Sequence, residues 1–233
     1  MPSTIMAIAA HPGDGMFTMG AAVAQQIHEG GKGVFLSLSL GERGSNTIPM
    51  AQYGEMQRTA MNNAAKLLGA ETEFLTYPDG EVPSGDMIDF KVCDLIRQYR
   101  PNIVISHWSG SWHKDHQNSY MVTRDAVFYA GLKSLTRQLP AHGVRKVLFA
   151  DNWEDAAQYQ PDLFLNITPV YDNWVKACAL FPMWRGENGF RYNDYYQSLA
   201  AMRGALANCR YAVALMSDPE QRTRTVTNLD LSS

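Results

Sequence analysis

A chain of 233 residues with 45% hydrophobic and 18% charged side chains can bury a real core and is too apolar to remain disordered. Its formal net charge of −3 excludes the basic footprint of a nucleic-acid or anionic-membrane binder. The start, "MPSTIMAIAAHP", has no basic region, and its apolar run is too short for a signal peptide or a membrane span, so a cytoplasmic protein is expected. Cys93, Cys178 and Cys209 are widely spaced, odd in number and set in apolar helical patterns, which predicts reduced core thiols.

In chain order, "TIMAIAA" (4–10) reads as a buried first strand ended by His11-Pro12, because proline forces the residue before it into extended geometry. Apolar residues at helical spacing predict one helix from Met16 to Glu29, followed by a strand at 33–40. A helix over 50–69 ends at Gly69; "TEFLTYPDG" is a third strand running into a Pro-Asp-Gly turn. The amphipathic stretch 86–99, capped by Asp86, leads through Arg100-Pro101 to a fourth strand, "NIVISHW". Helices are expected at 118–133, 169–180 and 193–207, and strands at 145–153 and 162–168. Strand and helix alternate, which predicts an α/β fold with a mainly parallel sheet. One domain over 1–233 is expected, with a loosely held tail from about 217.

Ligands of such sheets bind at the carboxyl ends of the strands. Three polar clusters fall there: His11 and Asp14 after the first strand, Glu42 after the second, and "SHWSGSWHKDHQNS" after the fourth. The last contains His107, His113, Asp115 and His116. Imidazoles with a carboxylate suit Zn²⁺, whose catalytic sites keep three protein ligands; His11, Asp14 and one histidine of this cluster would complete the set. A nucleotide-binding turn is not favoured, because "HPGDGMFTMG" lacks G-x-G-x-x-G and puts a carboxylate where a pyrophosphate would lie.

"AHPGD" with Gly20-Ala21, "LSLGERG" at 38–44, "YPDG" at 77–80 and "PNIVISH" with "HKDH" resemble, in order and spacing, the zinc-dependent de-N-acetylase family of LmbE-like and PIG-L proteins. The resemblance covers most of residues 5–120, with a weaker echo in "MRGALANCRYAVAL" at 202–215. It implies a Rossmann-like three-layer fold and hydrolysis of the N-acetyl group of an amino sugar or its conjugate, with zinc or another divalent transition metal as cofactor. By position it implies that His11, Asp14 and His116 hold the metal, that His113 stabilises the oxyanion, and that Asp115 orients a histidine. Glu42, Arg58 and Asp79 would bind substrate. A homo-oligomer is also expected, since the aromatic run "FPMWRGENGFRYNDYY" reads as a subunit interface ahead of a substrate-covering loop.

Three positions depart from the pattern: Ala60 and Val213 stand where the family has glutamate, and the third bears directly on the chemistry. Gly13 stands where the family's aspartate deprotonates water, and general-base assistance is worth roughly 10²–10⁴-fold. Metal binding can survive that loss, leaving Asp115 or Glu42 as replacement base. Otherwise the protein is a catalytically impaired metal- or sugar-binding relative.

Overall fold

A computed structural model describes residues 3–187 and 189–221. The strands are β1 (Thr4–Ala9), β2 (Lys32–Ser39), β3 (Glu71–Tyr77), β4 (Ile103–Ser106), β5 (Lys146–Ala150), β6 (Leu163–Asn166) and β7 (Ala212–Ser217). They form one sheet in the order β3-β2-β1-β4-β5-β7-β6. The first five run parallel; β7 pairs antiparallel with both β5 and β6.

β1 shows why the fold has three layers. Its side chains alternate: Ile5, Ala7 and Ala9 join one core cluster, and Met6 and Ile8 join the other. A strand covered on both faces must be apolar throughout, which is how this run reads. The first core takes in α2 (Gly20–His28), α3 (Met50–Leu68), α6 (Tyr171–Cys178) and α7 (Tyr192–Leu206). The second packs beneath α4 (Asp86–Tyr99) and α5 (Lys114–Gly131). Among the described residues no helix is long and apolar enough to cross a membrane.

Gly69 ends α3 with φ +80°, a left-handed conformation that glycine adopts without steric cost. The expected helix over Met16–Glu29 is instead two pieces preceded by a separate turn. A single turn, α1 (Pro12–Asp14), continues into a π-helical stretch, Gly15–Met19, before α2 begins. Met16 O in this stretch accepts both the Gly20 N–H and, at 2.9 Å, the Trp174 indole N–H. Asp86 is the first residue inside α4 rather than its cap, which is Gly85; its carboxylate still faces the positive end of the helix dipole.

Strand β7 escapes sequence reading, because the single local cue before "AVALMS" is Asn208 and the strand is held by β5 and β6, which are distant in the chain, as well as by α7. Cys93 and Cys178 are buried as expected, whereas Cys209 is half-buried in the turn after α7. The aromatic run is largely interior: Phe181, Trp184, Tyr192 and Tyr196 are buried, all four ringed about Phe17. The tail expected to be loosely held lies mostly outside the described residues, which end in a 3-10 turn, Pro219–Gln221.

Candidate active site

Strand order reverses between β1 and β4, and the crevice at a reversal is where open α/β sheets bind ligands. Chain segments leaving β1, β3, β4 and β5 converge there. Pro12 starts α1 immediately after His11, so one short turn carries His11 and Asp14 on the same side. His113 caps α5, its Nδ1 accepting the Asp115 backbone N–H at 3.2 Å. That cap leaves Nε2 as the protonated nitrogen, and His113 faces the cleft.

Asp14 Oδ2 lies 2.9 Å from His11 Nδ1 and 3.2 Å from His116 Nε2. The far nitrogen of each imidazole also meets a carboxylate. His11 Nε2 is 3.0 Å from Asp79 and 3.3 Å from Asp115, and His116 Nδ1 is 2.8 Å from Asp155. Burial opposes charge on these imidazoles, yet the surrounding carboxylates hold His11 well above its ordinary range and raise His116 to about 10. Asp14 is likewise driven well below the usual carboxylate range by His116 and His11, against the effect of its own burial. Such a surplus of carboxylate around two imidazoles is an environment that a divalent cation would neutralise.

Three trios of side chains have donor atoms within 4.8 Å of one another: His11–Asp14–His116, His11–Asp79–His113 and His107–His116–Asp155. The third is fully buried and its hydrogen bonds are committed. His107 Nε2 accepts the Ala10 N–H at 3.1 Å, so its Nδ1–H donates to Asp155 at 2.8 Å. Burial and the neighbouring His116 push the His107 pKa down, in keeping with a neutral ring. His107 stacks on His116 at 3.9 Å, tying the end of β1 to the α5 histidine. The first trio instead lines a cleft of about 110 Å³.

Gly13, Asp79, His113 and Glu154 also line this cleft, and Phe17, Gln57, Met183 and Tyr192 wall it. Met183 and Tyr192 belong to the aromatic run, whose described part therefore covers the cleft from the core side; the subunit-interface reading gains no support from its buried rings. No lysine or arginine is among the described lining residues.

The expected base candidates are tied down elsewhere. Asp115 accepts N–H groups from Gly80 at 2.6 Å and Val82 at 3.2 Å, and Gly80, at φ +77°, turns the chain so that its N–H reaches that carboxylate. Glu42 accepts the Asp79 N–H at 2.9 Å and does not line the cleft. Arg58 also lies away from it, 3.3 Å from Glu55 and over the Phe74 ring. Asp79 does reach the cleft, held by the Arg43 N–H at 3.0 Å.

Sequence reading missed Glu154 and Asp155 and gave His107 no role of its own. "ADNWED" follows β5 at the same sheet edge, so the strand-end rule could have found them; reading the strand through to residue 153 concealed that edge. Glu154 lies on the 3-10 turn Trp153–Asp155, its pKa pushed up to about 7 by burial and by Asp14.

Residues 6–127 match the family described as PIG-L, GlcNAc-PI de-N-acetylase. The 4-oxalmesaconate hydratase of Pseudomonas putida KT2440 is 26% identical over 211 residues, covering 87% of this chain and 80% of that protein. The diacetylchitobiose deacetylase of Thermococcus kodakarensis is 23% identical over 233 residues, covering 92% and 83%. Among solved structures, the 4-carboxy-2-hydroxymuconate hydratase of Pseudomonas putida KT2440 superposes with a TM-score of 0.87 at 24% identity, over 97% of this chain and 99% of that one. At that identity the superposition speaks for the fold.

Proposed function

Because this chain belongs to the PIG-L family, we propose that it is a metal-dependent enzyme that adds water to a small carbonyl-bearing substrate, its ion held by His11, Asp14 and His116. Two imidazoles and a carboxylate suit zinc, and each imidazole has a carboxylate behind it to set its tautomer. A divalent ion supplies Lewis acidity to a carbonyl oxygen and to water. The chain's own groups do the rest. His113 directs its Nε2–H at the oxygen that gains negative charge, and Asp115 orients His11 through Nε2. Asp79 accepts a hydrogen bond from a substrate hydroxyl, and Phe17, Met183 and Tyr192 keep bulk water out.

Two acceptors for the water are compatible with the family: the acyl carbon of an N-acyl amino sugar, and a carbon–carbon double bond conjugated to a carbonyl. Gly13 favours the second, because any proton acceptor must then act from another side of the cleft, away from the position that serves an amide's departing nitrogen. Amide hydrolysis needs a base that takes the water proton and passes it to the departing nitrogen, the task of the family's aspartate at this position. A Cβ at Gly13 would have room, its nearest neighbour being Phe17 Cε2 at 3.4 Å, so packing does not demand the glycine. Hydration of a double bond expels no leaving group, and the proton goes to the adjacent carbon. The hydratase relative points the same way. N-deacetylation is the second reading, supported by the family description and by the diacetylchitobiose deacetylase.

The test is a pair of assays on the zinc-loaded protein. Loss of conjugated absorbance from a panel of unsaturated oxo acids, abolished by a chelator and orders of magnitude faster than acetate release from N-acetyl sugars, is the expected result. Acetate release without hydration would establish the second reading. Tight metal binding with neither reaction would leave a non-catalytic relative.

Asp155 faces N–H groups from two imidazoles, and only a carboxylate accepts from both. Asp155→Asn turns an NH₂ group toward one of them, so zinc affinity should fall about 10–100-fold. Competition with a chelating dye at unchanged circular dichroism measures this; unaltered affinity would remove Asp155 from the support of the site.

A further inference from the structure

One carboxylate of the cleft accepts no hydrogen bond among the described residues. Asp14 sits between His11 and His116, Asp79 between His11 and the Arg43 N–H, and Asp115 on the Gly80 and Val82 N–H groups. Glu154 differs. Its side chain is 12% exposed, and its Oε2 lies 3.8 Å from His116 Nε2, beyond hydrogen-bond distance.

Its backbone, by contrast, is pinned from several sides. The Glu154 N–H donates to the Asn152 side chain at 3.2 Å, its carbonyl accepts the Trp112 N–H at 3.3 Å, and the next residue, Asp155, is locked between two imidazoles. A rigid turn thus presents a carboxylate to the cleft beside the atoms that would hold the ion. Position 13, on the same cleft, offers no acceptor.

We propose that Glu154 is the catalytic proton-transfer residue of this site, filling from the end of β5 the role that the family's aspartate fills from position 13. The inference rests on the reading that the cleft activates water. In the hydration, an O–H bond of water breaks as its oxygen bonds to the substrate carbon, and the proton moves to a Glu154 oxygen. The same proton then passes to the neighbouring carbon, which has received the π electrons, and the carboxylate is regenerated. No oxidant or reductant is needed.

Glu154→Gln keeps shape and removes the proton acceptor. The expected result is a fall in kcat of about 10²–10⁴-fold with KM within a few-fold. Zinc stoichiometry and thermal midpoint should stay as in the parent, and formate should restore part of the rate. Glu154→Asp, a shorter acceptor, should retain more activity than the glutamine variant. Unchanged kcat in Glu154→Gln would overturn the assignment while leaving the water-activating reading intact, and loss of zinc would make Glu154 a ligand instead. A zinc-loaded parent without turnover on either substrate panel would overturn both readings.

Discussion

Gly13→Asp should raise acetate release from N-acetylglucosamine conjugates by about 10²–10⁴-fold over the parent, the range that a positioned general base contributes. The backbone accepts the change: Gly13 lies within the helical turn α1, outside the left-handed region, and the added Cβ would meet Phe17 Cε2 at 3.4 Å and Met183 Sδ at 3.7 Å. Replacing a helical glycine also gives back roughly 0.5–1 kcal/mol of chain entropy. Against this, the new carboxylate joins Asp14, Asp79 and Glu154 around one cleft, so like-charge repulsion will raise its pKa and reduce its ionised fraction. Zinc in the site offsets that repulsion, which is why the assay uses the loaded protein. Coupled measurement of acetate and of bound zinc checks the prediction. An unchanged rate at full zinc occupancy would mean that the missing aspartate does not limit amide hydrolysis here.

His116→Ala should abolish stoichiometric zinc binding and lower turnover by about three orders of magnitude. Lewis-acid assistance is worth several kcal/mol, and 1.36 kcal/mol corresponds to a tenfold change in rate. Stability should fall as well. His116 is buried, donates to Asp155 and is stacked between His107 at 3.9 Å and His113 at 4.6 Å. Its removal leaves one buried oxygen of Asp155 without its imidazole, at a cost of about 1–3 kcal/mol. The companion Asp14→Asn keeps the local volume and removes the shared charge, so it should lose zinc with a smaller drop in thermal midpoint. Zinc titration and thermal unfolding of both variants separate the two effects. Retention of zinc by either one would remove that side chain from the ligand set.

Much of the scaffold was legible because its causes are local. Alternating strand and helix patterns, the proline after His11 and the glycine after Leu68 each act within a few residues, so the parallel core of the sheet could be anticipated. The family motifs likewise brought His11, Asp14, His113, Asp115 and His116 to one edge, where the structure gathers them. The π turn after Asp14 was not legible, since its spacing imitates an ordinary helix.

The sequence by itself determined the α/β alternation, the histidines and carboxylates available for a metal, and the glycine where a base is usual. Only the tertiary structure decided which carboxylate of the cleft keeps its oxygens out of hydrogen bonds among the described residues. Glu42 and Asp115 look as suitable as Glu154 in a linear reading. Their oxygens are claimed by N–H groups of the Pro-Asp-Gly turn, 37 residues from Glu42 and 35 from Asp115. A carboxylate's chemistry depends on which donors reach it, and those donors arrive from strands that are neighbours in the sheet and distant in the chain. Glu154 faces the cleft because the Asn152 side chain holds its N–H and two imidazoles fix the neighbouring Asp155, while no hydrogen bond among the described residues holds its own carboxylate.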